Sequence, residues 1–267
     1  MPIIYALANQ KGGVGKTTTA VSLGAYLAEW NERVLLIDVD PQGNATSSLG
    51  IDKRRVALST YDVLVREVPL YRTVRSTSRA RLDVIPASPA LAGATVELIN
   101  LPEREYRLRN ALAALTHEYS YVIIDCPPSL GILTVNGLTA TQGVIVPVQC
   151  EYLALEGLSQ LCRAIELVRR ALNPDLTIRG MLMTMFDART SLARQVVEEV
   201  RVHFPGQVFN SIIPRSVRLS EAPSFAEPIV SYAPRSAGGL AYAAFARELL
   251  LGDGRLKPGS GVGEVPG

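Results

Sequence analysis

The stretch "ANQKGGVGKTTTA", residues 8–20, reads as a phosphate-binding loop that departs from the common pattern. In G-x-x-x-x-G-K-[ST] a glycine stands six places before the loop lysine; here that place holds Gln10, and a second lysine, Lys11, follows it. The context supports a phosphate loop over a chance match. An apolar run, "IIYALAN" (3–9), precedes the loop, and a helical segment starts near Lys16. Gly12, Gly13 and Gly15 let the backbone turn tightly with its N–H groups inward, with Val14 and Thr18 completing the cradle. A helix N-terminus adds a favourable dipole for a triphosphate. Lys16 is placed to reach the β- and γ-phosphates, and the Thr17 hydroxyl to ligate Mg²⁺. A purely structural glycine turn is the rival explanation, and the agreement of strand, loop, Lys-Thr and helix disfavours it.

Magnesium on a nucleotide usually needs carboxylates as well, held directly or through water. Two strand ends offer them: "LLIDVDPQGN" carries Asp38 and Asp40, and "VIIDCPPS" carries Asp125. Each follows a short apolar run, so each charge sits at the mouth of a buried strand, where it is costly without a cation or hydrogen bonds. A helix-capping or turn role is the competing reading for any one of them. Their joint position beside a phosphate loop weakens it.

Further apolar runs recur along the chain: "RVLLIDVD" (33–40), "LDVIPAS" (82–88), "YVIIDCP" (121–127), "GVIVPVQ" (143–149), "IRGMLMTMF" (178–186) and "VFNSIIP" (208–214). Helical segments separate them. In residues 155–172, Leu158, Leu161, Cys162, Ile165, Val168 and Leu172 share one stripe before Asn173-Pro174. Near-continuous apolar strands alternating with helices predict an α/β fold, a doubly wound, mostly parallel sheet of about seven strands flanked by helices, with ligands at the carboxyl ends. One domain over 1–251 is expected, with a disordered glycine- and proline-rich tail at 252–267.

The chain of 267 residues has formal net charge +2, too mild for wholesale nucleic-acid coating, so any polyanion site must be local. Between Lys53 and Arg81 eight Lys/Arg face only Asp62 and Glu67; a solvated surface is the plainer reading, a DNA-contacting patch the sharper one. Cys126, Cys150 and Cys162 have neither zinc nor disulfide spacing and are expected as buried thiols. With no basic leader and no long apolar run, a soluble cytoplasmic protein is expected.

Together "KGGVGKTT", "DVDPQGN" and "DCPPS" resemble the deviant Walker A branch of the P-loop NTPases. "CEYLALEGLSQL" (150–161), "TMFDART" (184–190) and "IPRSVRLSEAPS" (213–224) resemble the ParA/Soj-type chromosome-partitioning ATPases, over residues 3 to 250. The resemblance implies an ATP/ADP switch that uses Mg²⁺ and forms an ATP-dependent sandwich homodimer, in which Lys11 of each protomer crosses to the other's nucleotide. It implies that Asp40 positions the attacking water, that Asp38 and Asp125 support Mg²⁺, and that adenine lies near Met185, Phe186, Pro214 and Arg215. It also implies nonspecific double-stranded DNA binding by the dimer through Arg189 and Arg218, slow hydrolysis stimulated by a ParB-type partner, and nucleoid association. For each arginine a surface ion pair, Arg189 with Asp187 or Arg218 with Glu221, stays open as the alternative. With so short a lead before the loop, an N-terminal helix-turn-helix and sequence-specific operator binding are not expected.

Other readings compete. A MinD-like membrane-associated positioning ATPase shares the loop, but residues 252–267, with only Leu256, Val262 and Val265 apolar, do not suit an amphipathic anchor, so no membrane contact is expected. An electron-transfer ATPase would use cysteines for an iron–sulfur cluster, and Cys126 and Cys150 lie in no glycine-flanked cluster loop. A scaffold that binds nucleotide without hydrolysis is a third, opposed by Asp40.

Overall fold

The computed structural model describes residues 2–115, 119–151 and 154–257. The first half runs β1 (Ile3–Leu7), α1 (Lys16–Glu29), β2 (Val34–Asp38), α2 (Asn44–Ser48), α3 (Thr60–Arg66), β3 (Arg75–Ser76), β4 (Leu82–Ile85), α4 (Leu91–Glu97), α5 (Arg107–Ala113) and β5 (Tyr121–Asp125). The second runs α6 (Ile132–Thr139), β6 (Gly143–Gln149), α7 (Ala154–Ala171), β7 (Thr177–Phe186), α8 (Ser191–His203), β8 (Val208–Pro214), α9 (Val217–Glu221), α10 (Ile229–Tyr232) and α11 (Ala237–Gly252). The strands form one sheet in the order β3-β4-β2-β5-β1-β6-β7-β8, parallel except for the β3–β4 pair.

Apolar runs become central strands because both faces are covered. All five residues of β2 and of β5 are buried. Leu35, Ile37, Val122 and Ile124 pack into the core on one face, under α3 to α8. Val34, Leu36, Tyr121 and Ile123 pack on the other, under α1, α10 and α11. The period-2 alternation of a strand thus feeds two cores, and each fully buried Leu or Ile contributes about 1.5–3 kcal/mol. β1 lies between β5 and β6, where the strand order reverses, so the loop after it opens at the topological switch point. Among the described residues no helix is long and apolar enough to cross a membrane.

The sheet has one strand more than the expected seven. β3 is only Arg75–Ser76, pairing antiparallel with Asp83 and Val84 at the sheet edge, and so short a polar segment leaves no apolar run to read. β2 also ends at Asp38, so Asp40 belongs to the following loop and not to the strand.

The expected tail begins too early. Residues Gly252 to Lys257 are ordered: Asp253 Oδ1 accepts from the Tyr5 hydroxyl at 2.7 Å, and Oδ2 from the Tyr121 hydroxyl at 3.0 Å. Arg179 Nη2 donates to Oδ1 at 3.2 Å, and Leu256 packs against the core. Glycine content argues for disorder only where a segment has nothing to hold, and here one buried carboxylate meets donors from β1, β5 and β7. Burial, together with Asp253, pushes both tyrosine hydroxyls above their usual range. Residues 258–267, the rest of the expected tail, lie outside the described residues.

Asp253→Ala leaves Arg179 and two buried hydroxyls without their acceptor. It should lower unfolding free energy by about 3 kcal/mol, read from urea denaturation as a lower midpoint at unchanged slope.

Candidate functional site

Gly13 and Gly15 have φ of 75° and 89°, a left-handed backbone that suits residues without a Cβ. Gly15 caps α1, whose first turn closes with the Thr19 N–H donating to the Gly15 carbonyl at 2.8 Å. At the loop's entry the Lys11 N–H donates to Asn9 Oδ1 at 3.0 Å, and Asn9 Nδ2 donates to the Pro147 carbonyl of β6 at 2.8 Å. At its exit the Thr184 hydroxyl of β7 donates to the Val14 carbonyl at 2.9 Å. The loop is therefore anchored to both strands that follow it across the sheet.

Lys16 is buried, and its Nζ donates to the Lys11 carbonyl at 3.2 Å, inside the loop. Burial lowers its pKa, while the charges of Asp125 and Asp40 oppose that shift. The Thr17 hydroxyl donates to Asp125 Oδ2 at 2.7 Å. Asp125 is fully buried, and its Oδ1 has no hydrogen-bond partner. Burial first, then Asp38 and Asp40, hold its carboxyl well above the usual carboxylate range, despite the Thr17 bond and Lys16.

Asp38 stands beside Asp125 in the β2–β5 register, equally buried, with a different role. Its Oδ2 accepts from the Thr46 N–H at 2.8 Å and the Thr46 hydroxyl at 2.7 Å; its Oδ1 accepts from the Asp40 N–H at 3.2 Å. Burial still pushes it up to about 6. Both oxygens are engaged with the segment from Asp40 to α2. Asp40 is buried too, its Oδ1 accepting from the Gln42 N–H at 2.9 Å.

Among the described residues no group of three or more His, Cys, Asp or Glu side chains could hold a metal unaided. Mg²⁺ takes one or two protein ligands and fills its shell with water and phosphate oxygens. The orphaned Asp125 oxygen beside the Thr17 hydroxyl is where such an ion fits.

Beside the loop a cavity of about 490 Å³ is lined by Gly15, Thr18, Thr184, Met185, Pro214 and Arg215, with Ser216, Ser220 and Tyr242 further round. Met185 has φ 52°, and this left-handed residue breaks the alternation of β7, so that Thr184 and Met185 both reach the loop side. Phe186, expected near adenine, is corrected: its side chain packs against the core on the opposite face, and only its carbonyl, accepting from the Arg215 N–H at 2.9 Å, ties β7 to β8 here.

The exposed cations form the ion pairs raised as alternatives. Arg189, its side chain 87% exposed, grips Asp187 with two bonds of 2.9 and 2.7 Å, and Arg218 meets Glu221 at 2.9 Å. In the basic stretch, Arg66 pairs with Asp62 and Arg79 with Glu29, so part of that charge is balanced locally. Cys126 and Cys150 are buried free thiols; Cys162 is half-buried. Sequence reasoning missed Thr184, Asn9 and Glu151. Glu151 had a legible signal, since it follows an apolar strand as the aspartates do.

Asp125→Asn keeps a Thr17 partner and removes a charge that burial opposes, so the nucleotide-free chain should become more stable at pH 7.5. The sign follows from the folded pKa lying above the unfolded one: ionised Asp125 destabilises the fold at neutral pH, and the penalty fades as pH falls through the folded value. The advantage of Asp125→Asn in thermal unfolding should vanish near pH ~4, the unfolded carboxylate range.

A family model described as an AAA domain matches residues 2–178. The chain is 56% identical to the sporulation initiation inhibitor protein Soj of Bacillus subtilis, covering 92% of this chain and 97% of that protein. It is 53% identical to the chromosome partitioning protein ParA of Myxococcus xanthus, over 96% of this chain and 90% of that one. Among solved structures, cobyrinic acid a,c-diamide synthase from Mycobacterium smegmatis, with bound ATP analog and magnesium, superposes with TM-score 0.84 at 42% identity, covering 97% of this chain and 99% of that one. A phosphate loop with a second lysine, beside strand-end aspartates, thus accompanies majority identity over nearly the whole length, and the chain belongs to the Soj/ParA family of chromosome-partitioning ATPases.

Proposed function

We propose that this chain is a Mg²⁺-dependent ATP hydrolase acting as a segregation switch. ATP joins two copies into a sandwich dimer, the dimer holds double-stranded DNA without sequence preference, and hydrolysis to ADP and phosphate, stimulated by a ParB-type partner, releases it. One observation carries the reading: Lys16 folds back under the loop and Thr17 meets Asp125, while the amine of the half-exposed Lys11 side chain lies apart from them, 3.5 Å from Glu151. A second cation outside that group suits a phosphate on another protomer. The ATP analog and magnesium bound by the Mycobacterium smegmatis relative support the choice of nucleotide and ion.

In this reading the N–H groups of residues 12–17 and the Lys16 ammonium bind the β- and γ-phosphates. Asp40 orients the attacking water, and Lys11 from the opposite protomer neutralises charge on the transferring phosphoryl group. The Thr17 hydroxyl and Asp125, directly or through water, would hold Mg²⁺, which would supply further neutralisation of the phosphates. Asp38 keeps the Asp40 segment in place. The 490 Å³ cavity takes adenine and ribose, with Met185, Pro214 and Arg215 on its wall. Arg189 and Arg218 exchange their carboxylate partners for DNA phosphates. Such solvent-screened pairs are weak, so a polyanion that releases counterions displaces them readily. DNA binding would place the dimer on the nucleoid.

Size-exclusion chromatography with ADP or ATP, with and without random-sequence DNA, tests the cycle. Asp40→Ala should accumulate an ATP- and DNA-bound dimer with turnover reduced about 10²-fold, while Lys16→Ala should not dimerise. Fast hydrolysis by Asp40→Ala refutes the water-orienting role.

Two further variants separate the surfaces. Lys11→Ala should lose partner-stimulated hydrolysis by about 10³-fold, in line with fingers supplied in trans elsewhere. Arg218→Glu should dimerise normally yet elute from immobilised DNA at lower salt; normal retention across a salt series would rule out that surface.

A further inference from the structure

Glu151 follows β6 at the rim between the phosphate loop and the cavity. Its position is set by the backbone: the Glu151 N–H donates to the Gln149 carbonyl at 2.8 Å, and the Cys150 N–H donates to the Thr184 carbonyl at 3.0 Å. Three donors converge on its carboxylate. Gln149 Nε2 donates to Oε1 at 2.6 Å, Arg215 Nη2 reaches the same oxygen at 3.4 Å, and Lys11 Nζ lies 3.5 Å from Oε2. A single acid therefore bridges a loop lysine and a cation of the cavity wall, from elements 140 and 64 positions away in the chain.

We infer that Glu151 is a positioning residue that parks Lys11 within its own protomer and so restrains dimerisation until a triphosphate competes for that lysine. The inference rests on the proposed role of Lys11 in trans. Lys11 is fixed at its backbone, where its N–H holds Asn9 and its carbonyl takes Lys16, so only the side chain is free to swing. Without nucleotide, Lys11 and Arg215 have Glu151 as shared counter-charge. With nucleotide, Arg215 borders the cavity of its own protomer, and Lys11 must leave Glu151 to reach across. The Lys11 and Glu151 side chains are 45% and 46% exposed, so the pair is screened and weak. That strength suits a latch: strong enough to bias an orientation, weak enough for a triphosphate to overcome.

Glu151→Gln keeps the size and an acceptor for Gln149 while removing the charge that holds Lys11. It should tighten ATP-dependent dimerisation by about two- to five-fold, measured by analytical ultracentrifugation over a concentration series, and raise partner-independent hydrolysis in the same direction. The gap from wild type should close as salt rises from about 0.05 to 0.5 M, because only a screened charge pair has been removed. A lost scaffold would weaken the dimer at every salt concentration. Glu151→Ala should shift dimerisation in the same direction, which guards against a folding defect in either variant alone. Unchanged or weaker dimerisation by both variants, with Lys11→Ala inactive, overturns the latch and leaves the proposed function standing. If Lys11→Ala dimerises and hydrolyses like wild type, the role in trans fails and the latch falls with it.

Discussion

Asp38 and Asp125 stand next to each other at the ends of β2 and β5, both without solvent exposure, and the surrounding structure is arranged around that charge. Parallel pairing leaves little choice: two strands in register that both end in aspartate bring the carboxylates together. Burial opposes ionisation of each, and mutual repulsion adds to it. Lys16 is the buried cation that faces them, and its own ammonium is weakened by the same burial. The remaining imbalance is met by hydrogen bonds from Thr17 and Thr46, and one oxygen of Asp125 stays unmatched.

Two similar residues acquire different roles through their neighbours. Asp38 gathers donors from the segment that follows its own strand and becomes the post on which Asp40 hangs. The Asp125 carboxylate is hydrogen-bonded by the first turn of α1, through Thr17, and keeps one oxygen without a partner. The lysines divide likewise. Lys16 begins a helix and folds back under its own loop, whereas Lys11, before the glycines, points its amine to the protein's rim.

The fold and the phosphate loop were legible because local patterns dictate them. Strands covered on both faces must be apolar at consecutive positions, so seven of the eight could be read as runs; β3, two residues held by edge pairing, had no such pattern. The cavity was legible only in part. Pro214 ends a readable strand and Arg215 follows it, but the placement of Phe186 depended on a left-handed residue at Met185, which no alternation rule anticipates. The ordered end of α11 was missed because its anchor, Asp253, finds its partners on β1 and β5, 248 and 132 positions earlier in the chain.

The chain's order of residues by itself determined the alternating architecture, the phosphate loop, the second lysine and the strand-end acids, since each depends on spacing within a few residues. Tertiary structure alone decided which acid keeps an unpartnered oxygen, which holds a loop, and which carboxylate receives Lys11. Those choices depend on the strand order, which brings Glu151 to a lysine 140 positions away, and on burial, which changes what a carboxylate can do without changing its identity.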